Sequence, residues 1–242
     1  MPDPPLNVEY WASLYPAFTN YADRYEEAMA YAALTDRAKH LWEWKGLNRS
    51  VPFAETESVV ERLDWDHYLS IGRKAAVEAV SAELSDAGVV ETGGLVTPAF
   101  LLHLAASSDQ YSREYPIYDS RVWNAYVYLW GLRGTGERLY TQASQASTAY
   151  DEFCTDFSRT CPDGTAQEYE RALFMFGRFI SSLPPKGSAT PIDRIDEHLE
   201  TQERALADNC DGASYVLVDV AGHGRSDRPV GDPDQSRVDG GL

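Results

Sequence analysis

The stretch Tyr115–Arg121 (YPIYDSR) sets a carboxylate, Asp119, directly before a run in which Val122, Tyr126, Leu129 and Trp130 recur at helical spacing. An aspartate in that position accepts hydrogen bonds from first-turn amides and sits at the positive end of the helix dipole. Capping is the commonest role for it. The same fixed carboxylate can stabilise positive charge developing on a reacting group, or orient and deprotonate a water. Arg121, two residues on, suits a phosphate or a surface carboxylate. Tyr115, Tyr118 and Trp123 flank Asp119 with aromatic area that either stacks on a planar ligand or packs in a core.

A second cluster, Trp42, Trp44 and Lys45 (LWEWKGLN), closes an early helical pattern. Lys45 there can line a pocket, touch a phosphate, or snorkel from an aromatic edge. His103 lies in the apolar run Ala99–Ala106 and reads as a satisfied core histidine. The segment GHGRSD around His223 lacks the Gly-x-Ser-x-Gly pattern of a nucleophile elbow. Cys154, Cys161 and Cys210 are three, with no matching His or Cys pair, so they read as reduced structural thiols and no metal is expected. No cofactor motif is present.

These residues need elements to hold them, and the periodicity is helical almost throughout. Residues 1–20 are rich in Pro and aromatics and read as an arm packed across the body. Residues 23–44 form one long helix or two, with a second start at Thr35 or Asp36 and a stop at Gly46. Helices are expected over 55–63 and 66–86. Gly93-Gly94 then breaks the chain, Thr97 resembles an N-cap and Pro98 a first helical residue, with a helix to about Ser107. The Asp119 helix spans Ser120–Trp130 and closes at Gly131. Further helices are expected over 137–158, 166–182 and 191–207, the last two separated by the PPKG turn at 184–187. Residues 214–220 (SYVLVDV) read as a single short strand, and the chain from Gly222 has the composition of a disordered tail. The expected fold is all-α, a two-lobed helical bundle over residues 1–220 followed by an acidic tail over 221–242.

The charge balance constrains partners. Against 38 acidic residues stand 21 basic ones, giving −17, and only Lys39, Lys45, Lys74 and Lys186 are lysines. Acid-rich, lysine-poor surfaces suit a salt-rich cytoplasm, where high salt screens self-repulsion, or a protein that avoids polyanions altogether. A chain of this charge repels nucleic acid at low salt unless its fold gathers the basic residues on one side. The longest apolar runs are too short to cross a bilayer, and the N-terminal residues carry neither a basic leader nor an apolar signal core, so a cytoplasmic, halophilic protein without membrane partners is expected.

In order, residues 88–131 present a Gly-containing hairpin opening a helix (Gly93, Gly94, Thr97, Pro98), an apolar helix, a short polar loop, and aromatic-Pro-Ile-aromatic-Asp with a basic residue. This order resembles the helix-hairpin-helix DNA glycosylases, and more closely their 8-oxoguanine-glycosylase-like branch. The resemblance implies hairpin amides that grip a DNA phosphate and a catalytic aspartate, here Asp119, after Pro116-Ile117-Tyr118. It further implies duplex DNA carrying a damaged or modified base as the partner, with Tyr115, Tyr118, Arg121, Trp123, Trp44 and Lys45 available to touch base or backbone. The family's Gly-x-Gly is altered here, with Val96 standing in place of the second glycine. Pro98 stands where many backbone-nicking members carry Lys, so no Schiff base forms at the hairpin and base removal through activated water is expected. The four-cysteine iron–sulfur motif of some members is absent. The competing expectation, favoured by the altered hairpin and the acidic surface, is a catalytically inactive DNA- or protein-binding regulatory module on the same scaffold.

Overall fold

The computed structural model describes residues 6–15, 19–91, 93–106, 113–132, 142–161, 166–183 and 191–209. Among them the structure is all-α, with no strand. The expected strand at 214–220, the tail, Cys210, His223 and the PPKG turn lie outside the described residues. The chain divides into a compact unit, Met1–Glu200, and a second, Thr201–Leu242, whose described part is the end of the last helix.

Within the expected arm, Val8–Ser13 form a helix packed against a later one. In α1 (Val8–Ser13) Asn7 caps the start, accepting from the Tyr10 amide at 3.0 Å, and Trp11 buries its ring 5.0 Å from Phe176 and 5.3 Å from Phe179. The long pattern that follows is two helices, α2 (Thr19–Met29) and α3 (Leu34–Trp44). Gly46, at φ 79°, ends α3 in the left-handed conformation that glycine adopts without Cβ strain. A single 3₁₀ turn, Leu47–Arg49, leads to α4 (Phe53–Arg62).

The helix expected over 66–86 is divided into α5 (Trp65–Ser70) and α6 (Arg73–Asp86). Gly72 sits between them at φ 88°, ψ 148°, which no helix contains. Helix α7 spans Val96–Ala106, so Thr97 lies inside the first turn and is not its cap. Pro98 is tolerated there because first-turn amides have no intrahelical partner. After α8 (Ser120–Val127) the chain widens into a π turn, Tyr128–Leu132, and does not stop at Gly131. Helix α9 (Ser147–Thr160) begins later than the pattern suggested, because Ala146 is extended at ψ 123°. Helices α10 (Ala166–Ser182) and α11 (Pro191–Asn209) complete the order.

Helix α10 organises the site. Its buried stripe of Ala166, Tyr169, Glu170, Leu173, Phe176, Gly177 and Ile180 follows the i, i+3, i+4, i+7 rule and packs against α8 on one side and α1 on the other. The contact with α8 is so close that a Cβ placed on Gly177 would fall on the Arg121 carbonyl. That glycine sets how near the first turn of α8 can lie to α10.

A candidate active site around Asp119

Asp119 is the N-cap of α8. Its Oδ1 accepts from the amides of Arg121 and Val122, each at 2.9 Å. Its Oδ2 accepts from Lys45 Nζ at 2.8 Å, across 74 residues of sequence. The capping expectation therefore holds, and the second oxygen carries an ion pair in addition. Lys45 leaves the end of α3 with its side chain 5% exposed, against 17% for Asp119, so this is a largely desolvated pair. Burial by itself would raise the Asp119 pKa. The Lys45 charge and hydrogen bond, the Val122 amide and Arg121 outweigh it and hold the carboxyl below its ordinary value.

The segment before Asp119 is anchored from two helices. Glu170 on α10 accepts the Ile117 amide on Oε1 at 2.8 Å. His103 on α7 is fully buried, with Nδ1 2.7 Å from the Tyr115 carbonyl and Nε2 2.5 Å from the Tyr25 hydroxyl. A carbonyl only accepts, so Nδ1 carries the proton and Tyr25 donates to Nε2. Burial lowers the His103 pKa to about 4, with the Lys45 charge adding to it against the Tyr115 hydrogen bond, so the ring is neutral. It is the satisfied core histidine expected of it, and it also ties α7 and α2 to the Asp119 loop.

A pocket of about 60 Å³ opens beside this loop. Its aromatic walls are Tyr15, Tyr25, Trp44 and Phe174, and its charged groups are Lys45, Arg121, Arg171, Asp119 and Glu170. Three cations thus meet two carboxyl groups inside a chain of net charge −17. The guanidinium of Arg121 lies 5.2 Å from the Phe174 ring centre and that of Arg171 5.1 Å from Tyr15. On the other side of the Lys45–Asp119 pair is an open groove of about 340 Å³, lined by Val96, Ser120, Arg121, Gln142 and Gln145. A third hollow, about 600 Å³, continues past Val96 and Gln145 to Gly94 and Thr97. The ion pair is the wall shared by pocket and groove.

The three aromatics flanking Asp119 take the core-packing alternative. Tyr118 is fully buried, donates to the Ser144 carbonyl at 2.9 Å and packs against Tyr150 and Phe153 of α9. Trp123 stacks edge-on against Tyr118, and Tyr115 is buried; none of the three lines the pocket. Successive side chains of an extended segment point to opposite sides, so Ile117 and Asp119 face the pocket while Tyr118 faces α9. Trp44 and Lys45 do line it. Gly93 adopts φ 82°, and the Gly94 amide is used in a turn to Glu91 at 2.9 Å. The Leu95 amide is held by Gln145 Oε1 at 2.7 Å.

Tyr15, Tyr25, Phe174, Glu170 and Arg171 were not singled out from the sequence. Glu170 had a signal: an acid on the apolar stripe of an amphipathic helix is out of place unless buried for a reason. Cys154 and Cys161 are buried free thiols, and burial raises the Cys154 pKa to about 12. Among the described residues no three His, Cys, Asp or Glu side chains group closely enough to hold a metal, and no helix is long and apolar enough to cross a membrane. No family model, no curated protein and no solved structure matches the chain.

Proposed function

We propose that this protein removes a damaged or modified base from duplex DNA by hydrolysis of the N-glycosidic bond. The observation that carries the reading is the Lys45–Asp119 pair, which separates an aromatic, cation-bearing pocket from a groove that continues to Gly94 and Thr97 at the start of α7. A flipped base stacks on aromatic walls without matched hydrogen bonds; the pocket supplies four such rings, and its cavity of about 60 Å³ must widen to admit a whole base. Departure of a base leaves positive charge on the sugar, and a carboxylate held ionised at its mouth stabilises that charge and orients the attacking water. Lys45 keeps Asp119 anionic and pointed. Of the three cations at the pocket, Lys45 is paired with Asp119 and Arg171 with Glu26, which leaves Arg121 as the cation most available to a phosphate.

The hairpin position bears Pro98, so no backbone-nicking step runs through it. The test is base release from duplexes carrying a broad set of modified bases, in both dilute and molar salt. Asp119→Asn retains the N-cap oxygen but leaves the buried Lys45 without its anion, so folding is checked by circular dichroism, and the folded variant should lose about 10²–10³-fold in release rate. Trapping of an enzyme–DNA adduct with borohydride would overturn the water-mediated reading.

One observation favours the second reading, a non-catalytic binding module. Both oxygens of Asp119 are already occupied, by two amides and by Lys45, as a purely structural cap would be. Failure of the wild type to release any base from the whole set would establish that reading in place of the first.

A further inference from the structure

Beneath the Asp119 pair lies a second carboxyl whose chemistry is unused by the reading above. Glu170 is 4% exposed and lines the same pocket. Its Oε1 is fixed by the Ile117 amide, while Oε2 is buried and has no hydrogen-bond partner. A buried polar atom left unpaired costs stability, and among the described residues Glu170 Oε2 is the one carboxyl oxygen so placed, on a residue that lines the pocket. The groups around it are Lys45 from α3, His103 from α7 with its Nδ1 3.8 Å from Oε1, Asp119 at the start of α8, Tyr25 from α2, Tyr15, Arg121, and its neighbour Arg171.

We propose that Glu170 is the general acid of the site, delivering a proton from Oε2 to the departing base. The inference rests on the glycosylase reading and adds a substrate class to it: uncharged bases, which need a proton to leave, as opposed to alkylated bases that are already cationic. In the step, the C1′–N bond breaks with its electron pair going to the base. The base takes the Oε2 proton and departs neutral. Water adds to C1′ through its oxygen, and the proton it gives up returns to Glu170 through solvent, leaving an abasic sugar.

Two carboxyls in one site are given opposite states by their surroundings, which is how an acid and an ionised partner coexist at one pH. Burial, reinforced by the Asp119 charge, pushes Glu170 up to about 8 in spite of the Ile117 amide, Lys45 and Arg171. Lys45 bonds to Asp119 directly and keeps that one ionised. Glu170 therefore holds its proton near neutrality and can still give it up.

The test compares single-turnover release of uracil, hypoxanthine and 8-oxoguanine, which are uncharged, with release of the cationic base 7-methylguanine, each from a duplex of otherwise identical sequence. In the wild type, release of an uncharged base should fall as pH rises through about 8. Glu170→Gln is isosteric with the protonated acid and retains an acceptor for Ile117. It should lower the single-turnover rate constant for an uncharged base on the order of 10²–10⁴-fold, with the half-saturating enzyme concentration little changed and the alkaline limb removed. Release of 7-methylguanine should suffer at least about tenfold less. Circular dichroism and the melting temperature establish that the variant is folded. Equal loss on both substrate classes would assign Glu170 a structural role and overturn the proposal, as would an unchanged rate on uncharged bases. Asp119→Asn should depress both classes alike. A wild type that releases neither class refutes the glycosylase reading, and this proposal with it.

Discussion

The segment Tyr115–Asp119 has two sides, and they are built on opposite principles. Towards α9, Tyr118 meets Tyr150 and Phe153, its hydroxyl has a carbonyl to donate to, and nothing charged is enclosed. Towards α10 and α3, Asp119, Lys45 and Glu170 share a small volume, one carboxylate oxygen is unpaired, and two carboxyls are held in different states. The first side is ordinary aromatic core, in which ring packing supplies the stability. The second keeps an arrangement that costs folding energy. Positions of that kind are where function is sought, since buried charge is not needed to fill a core.

Breaking the contact that assembles the charged side should have the largest effect on the fold. Gly177→Ala puts a methyl on the Arg121 carbonyl, so α8 must move off α10 and carry Asp119 with it. A loss of about 1–3 kcal/mol is expected in denaturant unfolding, well beyond the gain of up to ~1 kcal/mol that alanine brings to a helix interior. The Lys45–Asp119 separation should lengthen, and on the proposed function base release should fall together with stability.

The pH dependence of stability sharpens the comparison next, because the two carboxyls act with opposite sign. Asp119 has a depressed pKa in the folded chain, so its contribution is present above the unfolded aspartate value and is lost as pH falls through the lower folded one. Glu170 has a raised pKa, so the folded chain holds a proton that the unfolded chain releases. Its contribution is complete below the unfolded glutamate value of 4.5 and is lost as pH rises towards about 8. Melting temperatures of the wild type should therefore decline between pH 5 and 8, in the range set by those two values. Glu170→Gln should flatten that decline. A variant that declines as steeply as the wild type would mean that Glu170 is ionised in the folded protein.

The smallest effect belongs to the core side. Tyr118→Phe removes the hydroxyl that bonds Ser144 and should cost about 1 kcal/mol of stability. Base release should be unaffected, because Tyr118 does not reach the pocket. A large loss of release at unchanged stability would show that the two sides are not independent.

Much of the helical framework was legible in the residues themselves. The stripe of α10 reads directly as 166–182, Gly46 ends α3 as glycine ends helices, and Asp119 before an apolar run caps α8. These are local matters of spacing and of backbone groups that need partners within a few residues. Where the reading failed, the cause was also local but finer. Gly72 divides one periodic pattern into α5 and α6, and α7 starts at Val96, ahead of the Thr-Pro pair that looks like a start signal.

The site is another matter. The sequence alone determined that Asp119 would stand at a helix N-terminus with its carboxylate towards the first-turn amides, because capping depends only on neighbours along the chain. It also placed Trp44 and Lys45 side by side, without saying what they would meet. Tertiary structure decided the rest. Lys45 reaches Asp119 across 74 residues because α3 ends where α8 begins. Glu170 joins them because Gly177 lets α10 approach α8. The alternation of an extended segment turns Asp119 to the pocket and Tyr118 away from it. The state of each carboxyl depends on which charges surround it and how much water is excluded, and both are properties of packing, not of sequence neighbours.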